Sequence, residues 1–106
     1  MYEEWTPEEV EQRIRSHAPV SIIDVREPFE FVEGHIPGAK NISVNGIQNR
    51  LDEINKNQEH IIVCHSGSRS GVASAILSAN GFKVKNMTDG MMNWHGPIEF
   101  YEGETQ

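Results

Sequence analysis

Short β-branched runs alternate with helix signals along this chain, and that alternation leaves few architectures open to it. Val20-Ser21-Ile22-Ile23-Asp24-Val25 is a run of the kind that sits inside a parallel sheet, and Asn41-Ile42-Ser43-Val44, His60-Ile61-Ile62-Val63 and Phe82-Lys83-Val84-Lys85-Asn86-Met87 read as further strands. Helix signals fall between them. Thr6-Pro7-Glu8-Glu9 is a capping box with proline at the first helical position, and Val10 and Ile14 share one face of the helix it opens. Pro28 starts a helical turn through Phe29, Phe31 and Val32 that Gly34 ends. Asn45-Gly46-Ile47-Gln48 is expected to cap a helix with Ile47, Leu51 and Ile54 inward. Val72, Ala73, Ile76 and Leu77 form the expected buried stripe of the next helix, closed by Asn80-Gly81, and Asp89-Gly90 turns into a short helix carrying Met91 and Trp94. Such an order predicts an α/β fold with a mainly parallel sheet covered on both faces.

At 106 residues the chain is one domain, 1–106, able to bury about two thirds of its unfolded surface without a metal or disulfide staple. Its core is expected over about 5–95, and the polar, acidic tail 97–106 is expected to fray. One cysteine cannot form an internal bridge, which points to a reducing compartment. The first residues, Met1-Tyr2-Glu3-Glu4-Trp5, lack an apolar core and a basic flank, and no apolar run approaches the ~18 residues of a membrane span. A soluble, cytoplasmic protein with no membrane contact is the expectation. The net charge of -7, with only 9 Lys plus Arg, argues against a nucleic-acid surface, because phosphate binding needs a basic patch. His17, His60 and His95 are scattered and show no ligand spacing with Cys64-His65, so neither metal nor cofactor is expected.

The chemistry concentrates at Cys64-His65-Ser66-Gly67-Ser68-Arg69-Ser70. A strand delivers the only cysteine to a tight loop that opens a helix, where successive backbone N-H groups and the positive helix end form a cradle for negative charge. The thiolate is the nucleophile, and a helix N-terminus lowers a cysteine pKa from ~8.5 into a range of about 3.5 to 7.5. Gly67 permits the tight turn. In open parallel sheets sites gather at the carboxyl ends of the strands, so Asp24-Val25-Arg26-Glu27, the Cys64 loop and Thr88-Asp89-Gly90 should meet there. The alternative for Cys64 is an inert buried thiol.

These motifs, together with Glu30-Phe31, Gly34-His35-Ile36-Pro37-Gly38-Ala39-Lys40-Asn41-Ile42, Gly81-Phe82 and Asp89-Gly90-Met91-x-x-Trp94, resemble a single-domain rhodanese over about residues 5–95. The resemblance implies a five-stranded parallel sheet flanked by helices on both faces. It also implies a sulfurtransferase that carries sulfur as a persulfide on Cys64, taking it from a small-molecule or protein donor such as thiosulfate and passing it to a thiol or cyanide acceptor. His65, Ser66, Gly67, Ser68, Arg69 and Ser70 would bind substrate and persulfide. Cysteine phosphatases resembling this fold place five residues between cysteine and arginine, whereas four intervene here, a ring suited to one sulfur rather than a phosphate or arsenate. Arg69 therefore either pairs with Glu30 or Asp24 to hold the loop or lines the pocket. Asp24 and Arg26 are expected to form a loop-fixing ion pair, with a site wall as the alternative, and His35 a hydrogen-bonded structural histidine. Trp94, with Met91 and Met92, is expected in the core, with a partly exposed rim over the site as the alternative. His65 stands where resembling enzymes often keep Arg or Lys, and Asp89 where they often have glycine, so a thiosulfate preference is not implied by this loop. A binding or regulatory module and a phosphatase or arsenate reductase are the alternatives to sulfur transfer.

Overall fold

A computed structural model describes residues 2–100. Five strands form one sheet in the order β1-β5-β4-β2-β3, with β1 at Glu3–Trp5, β2 at Ile22–Asp24, β3 at Lys40–Asn41, β4 at Glu59–Val63 and β5 at Lys83–Met87. Every pairing is parallel, as the alternation of strands and helices requires. The period of two along the strands splits the apolar residues between two cores. Ile23, Val25, Ile62 and Val84 face α3 (Ser68–Ala79), whereas Ile22, Ile61, Val63 and Met87 pack on the opposite face with Val10 of α1 (Pro7–Arg15), Ile36 and Trp94. Cys64 continues β4 on the α3 side.

Local signals set several elements as expected. The Thr6 hydroxyl accepts the Glu9 N-H at 3.1 Å while the Glu9 carboxylate accepts the Thr6 N-H at 2.8 Å, which closes the capping box of α1. Pro28 opens α2 (Pro28–Phe31), and Asn80 and Gly81 end α3. Among the described residues no helix is long and apolar enough to cross a membrane.

Five details differ from the sequence pattern. β1 carries no apolar run: it pairs in register with β5, Glu3 opposite Lys85 and Trp5 opposite Met87, and Lys85 reaches the Glu3 carboxylate at 2.6 Å. β3 is shorter than expected, although Ile42 and Val44 still donate to the carbonyls of Asp24 and Val25. The helix expected from Ile47 to Ile54 is instead two 3-10 turns, Ile47–Asn49 and Leu51–Glu53, broken at Arg50, whose φ of -126° and ψ of 23° are not helical; Ile47 in the first turn and Ile54, just after the second, are both buried. Val72 is 57% exposed, and the buried stripe of α3 is Ser70, Ala73, Ser74 and Leu77, the first three small enough to let the helix lie close to the sheet. The segment after Pro97 is tied down as far as Phe100, because His35 and Glu99 exchange two backbone hydrogen bonds of 2.9 Å each. Residues 101–106 of the expected frayed tail lie outside the described residues.

Candidate active site

β4 ends at Val63, and the loop that follows wraps around the sulfur of Cys64. Gly67 caps α3 with φ of 102°, and a Cβ there would lie 3.1 Å from the Asp89 backbone nitrogen, so both the left-handed turn and the close approach require glycine. The turn after β5 is seated directly on this loop. The Met91 N-H donates to the Cys64 carbonyl at 2.8 Å and the Met92 N-H to the His65 carbonyl at 3.0 Å. A Cβ on Gly90 would overlap both of those carbonyl groups. The carboxyl ends of β4 and β5 are thus locked together at the cysteine, and Asn86 of β5 supports the floor by donating to the Gly67 carbonyl at 3.4 Å.

Cys64 is fully buried but not in apolar surroundings. Its Sγ accepts the Gly67 N-H at 3.0 Å, and the thiol donates to Ser70 Oγ at 3.3 Å, whose own hydroxyl donates to the Gly67 carbonyl at 3.1 Å. Burial alone pushes the thiol pKa up. Hydrogen bonds from the Ser70 hydroxyl and from the backbone N-H groups of Ser70, Gly67 and Ser66 outweigh it, and the net direction is down from the ordinary thiol value. An inert thiol in an apolar core would move the other way. Ionisation also dictates a rearrangement: a thiolate has no proton to donate, so the Ser70 hydroxyl must turn from the Gly67 carbonyl toward Sγ, leaving that carbonyl to the Gly71 N-H at 3.1 Å and to Asn86.

Arg69 is one turn further on, and its guanidinium turns to α2. It clasps both carboxylate oxygens of Glu30, at 2.8 and 2.9 Å, in the bidentate geometry that suits arginine. Glu30 in turn accepts the Glu27 N-H at 2.9 Å, and the Arg69 hydrogen bonds hold its pKa down at about 2. Of the two roles expected for Arg69, the geometry displays the pairing with Glu30 that ties α3 to α2. Asp24 and Arg26 form the expected buried pair, 2.7 Å at its shortest, and Arg26 also donates to the Gly34 carbonyl at 2.8 Å. This pair braces the loop after β2, and Arg26 also lines the cleft beside the cysteine loop. His35 is buried, stacks on Phe31 at 3.7 Å, donates from Nδ1 to the Phe31 carbonyl at 2.8 Å and places Nε2 3.2 Å from Glu99.

An open cleft of about 370 Å³ lies beside the loop, lined by Arg26, Glu30, Glu33, Gly34, His65, Met91 and Ile98. His65, Ser66 and Ser68 are exposed, and Ser70 is buried behind the sulfur. Trp94 is core, as expected, whereas Met92 is exposed. Sequence reasoning missed Asn86, Glu33, Gly34 and Ile98 as parts of this region. Asn86 left a signal, an amide at a buried position of a strand, but the others arrive through packing of segments distant in sequence.

Comparison with known proteins places this geometry among others. The sequence pattern of the Rhodanese-like domain matches residues 6–97. The chain is 40% identical over 93 residues to a protein named putative sulfur carrier protein YrkF from Bacillus subtilis, covering 87% of this chain but 50% of that one, so it spans about half the length of that relative. It is 36% identical over 107 residues to a protein named sulfurtransferase from Allochromatium vinosum, covering 97% of this chain and 100% of that one. The crystal structure of a rhodanese-like domain protein from Staphylococcus aureus superposes with a TM-score of 0.88 at 35% identity, covering 96% of this chain and 100% of that chain.

Proposed function

We infer the chemistry from ancestry and geometry together: the chain belongs to the rhodanese-like domain family, and we propose that it is a sulfurtransferase working through a persulfide on Cys64. The Cys64 thiolate attacks the outer sulfur of a donor such as thiosulfate. The donor's S-S bond breaks, sulfite leaves with the electron pair, and Cys64-S-S⁻ remains. A thiol or cyanide then takes the outer sulfur and returns the thiolate. The observation that carries this reading is the donor set on Sγ, which lowers the thiol pKa against the effect of burial. A persulfide places its outer sulfur about 2 Å beyond Sγ, so the transferable atom need not lie as deep as the cysteine itself. The N-H groups of the loop are fixed in place and stabilise the anion without reorganising. His65, Ser66, Gly67, Ser68, Arg69 and Ser70 form the binding loop in this reading, with Arg69 and Glu30 as its clamp and Asp24 and Arg26 as its brace. A single thiol that must stay reduced suits a cytoplasmic protein.

The engagement of Arg69 by Glu30 and the four-residue spacing from Cys64 weigh against phosphoryl transfer, which needs that arginine on the substrate. Complete burial of Cys64 favours one other reading, a non-catalytic binding module. Intact-protein mass after exposure to a panel of sulfur donors separates the two. Sulfur transfer adds the mass of one sulfur, removable by cyanide or dithiothreitol and absent in Cys64→Ala. No adduct with any donor, or one that persists in Cys64→Ala, refutes it.

A further inference from the structure

The sulfur on Cys64 must leave for an acceptor, and the surface around the loop narrows what that acceptor is. Phe29, Val32, Val72, Met92, Ile98 and Phe100 are the large apolar side chains exposed among the described residues. Five of these six lie on residues 28–34 and 91–100, the two segments that supply Glu30, Glu33, Gly34, Met91 and Ile98 to the cleft wall. The sixth, Val72, is three residues beyond Arg69 on the same side of α3. Isolated exposed apolar residues are ordinary, but a collar of them on the segments that wall the cleft beside the cysteine loop marks a surface that meets another molecule. The collar is also held in place: the His35 and Glu99 backbones join the two segments, and Ile98 and Phe100 lie against Gly34.

Charge specifies the chemistry of what it meets. Both arginines beside the loop are neutralised, Arg26 by Asp24 and Arg69 by Glu30. Glu33 and Asp89 are exposed and have no ion-pair partner among the described residues, and Asp89 belongs to the turn seated on the cysteine loop. His65, which lines the cleft, is not a fixed cation, and the exposed Ser66 and Ser68 carry no charge. A small dianion therefore gains no steering toward this mouth. An apolar segment carrying positive charge gains both attraction and burial.

We propose that this apolar, acid-fringed collar docks a protein sulfur acceptor, one that presents its thiol on an exposed segment with apolar and Lys or Arg neighbours. The proposal rests on the sulfurtransferase reading of Cys64. In the transfer, the acceptor sulfur bonds to the outer sulfur of the persulfide, the Sγ-S bond breaks with its electron pair going to Sγ, and the acceptor's proton passes to the new persulfide or to water. The sulfane sulfur changes carrier without net oxidation or reduction, so no further reactant is needed. The same basic neighbours that are drawn to Glu33 and Asp89 lower the acceptor thiol's pKa and so generate the thiolate that attacks.

The test uses the chain loaded with sulfur by thiosulfate and freed of donor, mixed with a cysteine peptide flanked by Lys and Leu, its counterpart with Glu for Lys, or 2-mercaptoethanol. Transfer is followed by intact mass, and each rate is divided by that thiol's rate with a small disulfide to remove intrinsic reactivity. The basic peptide is expected to exceed the acidic one by about tenfold or more at low salt, the factor expected of roughly 1.4 kcal/mol of complementarity, and to lose that lead as salt rises. Glu33→Gln with Asp89→Asn should shrink the lead over the acidic peptide, and Met92→Ser with Phe100→Ser should shrink the lead of the basic peptide over 2-mercaptoethanol. Equal normalised rates of the two peptides at low salt overturn the proposal, as does a lead insensitive to salt; the salt series on the natural chain decides even where a variant fails to fold. Self-association that blocks transfer assigns the collar to a second copy and also overturns it. Titration with the basic peptide carrying serine for cysteine measures docking without sulfur, so failure of Cys64 to load refutes the sulfurtransferase reading while the docking surface stands or falls by its own measurement.

Discussion

Ser70→Ala isolates the side-chain contribution that lowers the Cys64 pKa. Ser70 is fully buried, and its hydroxyl is the side-chain donor available to Sγ, 3.3 Å away. A hydrogen bond to a charged group contributes about 1.5–3 kcal/mol, but on ionisation the hydroxyl surrenders its bond to the Gly67 carbonyl, a neutral bond contributing about 0.5–1.5 kcal/mol. The difference is roughly 1–1.5 kcal/mol in favour of the thiolate. Removing the hydroxyl should therefore raise the Cys64 pKa while the backbone donors keep it below the value it would have in an apolar core. The rate of alkylation by iodoacetamide against pH reads this directly, and the midpoint should move up in Ser70→Ala with the high-pH plateau little changed. The linkage follows in sign: because folding lowers this pKa, Cys64 adds stability that is fully present above the unfolded thiol's ~8.5 and is lost as pH falls through the folded value. Ser70→Ala should flatten that part of the stability profile, measured by urea unfolding across pH. A midpoint that stays put or moves down would mean that backbone groups alone set the thiolate, and the reasoning from the hydroxyl would be wrong.

Two further substitutions probe the frame. Glu30→Gln removes the carboxylate that Arg69 clasps; the natural chain gains stability from this pair above pH about 4.5 and loses it as pH falls through the Glu30 value of about 2, so acid unfolding curves of the two proteins should converge in that window. Both side chains are partly exposed, so solvent screening holds the difference at neutral pH to about 1–2 kcal/mol by urea unfolding. Gly90→Ala forces a Cβ into the Cys64 and His65 carbonyl groups at a left-handed φ of 60°, and should destabilise by about 3 kcal/mol or more in the same assay, with a matching loss of Cys64 reactivity.

What the sequence made legible is what local chemistry decides. The capping box at Thr6 fixes the start of α1 whatever surrounds it, and the order strand, cysteine, glycine, helix puts the thiol at a helix N-terminus without any knowledge of the rest of the chain. The Asp24 and Arg26 pair and the hydrogen-bonded His35 were readable for the same reason, since Arg26 lies two residues from Asp24 and Phe31 four residues from His35. β1 was not readable. Its strand state comes from the unpaired edge of β5 and from Lys85, which are supplied by residues about eighty positions away. The segment from Ile47 to Ile54 shows a second limit: α and 3-10 turns bury the same isoleucines, so apolar spacing cannot separate them, and the break at Arg50 decides.

The same division runs through the site and explains how its chemistry is assembled. Residues 64–70 carry the thiol and the groups that donate to it, and they are contiguous because a helix start is a local object. Everything that keeps those donors aimed is distant: Gly90 lets the turn after β5 accept no gap against the loop, Asn86 holds the Gly67 carbonyl, and Glu30 draws Arg69 aside. That last contact has a functional consequence beyond support. With Arg69 turned to Glu30 and Arg26 to Asp24, the groups that favour an anion on Cys64 are the Ser70 hydroxyl and the fixed N-H groups at the bottom of the loop, whereas the rim offers Glu33, Asp89 and apolar side chains. Under the proposed sulfur transfer, stabilisation of the sulfur on Cys64 and selection of its acceptor fall to different layers of the same site, so substitutions at the rim should change which thiol is served without changing the ionisation of Cys64.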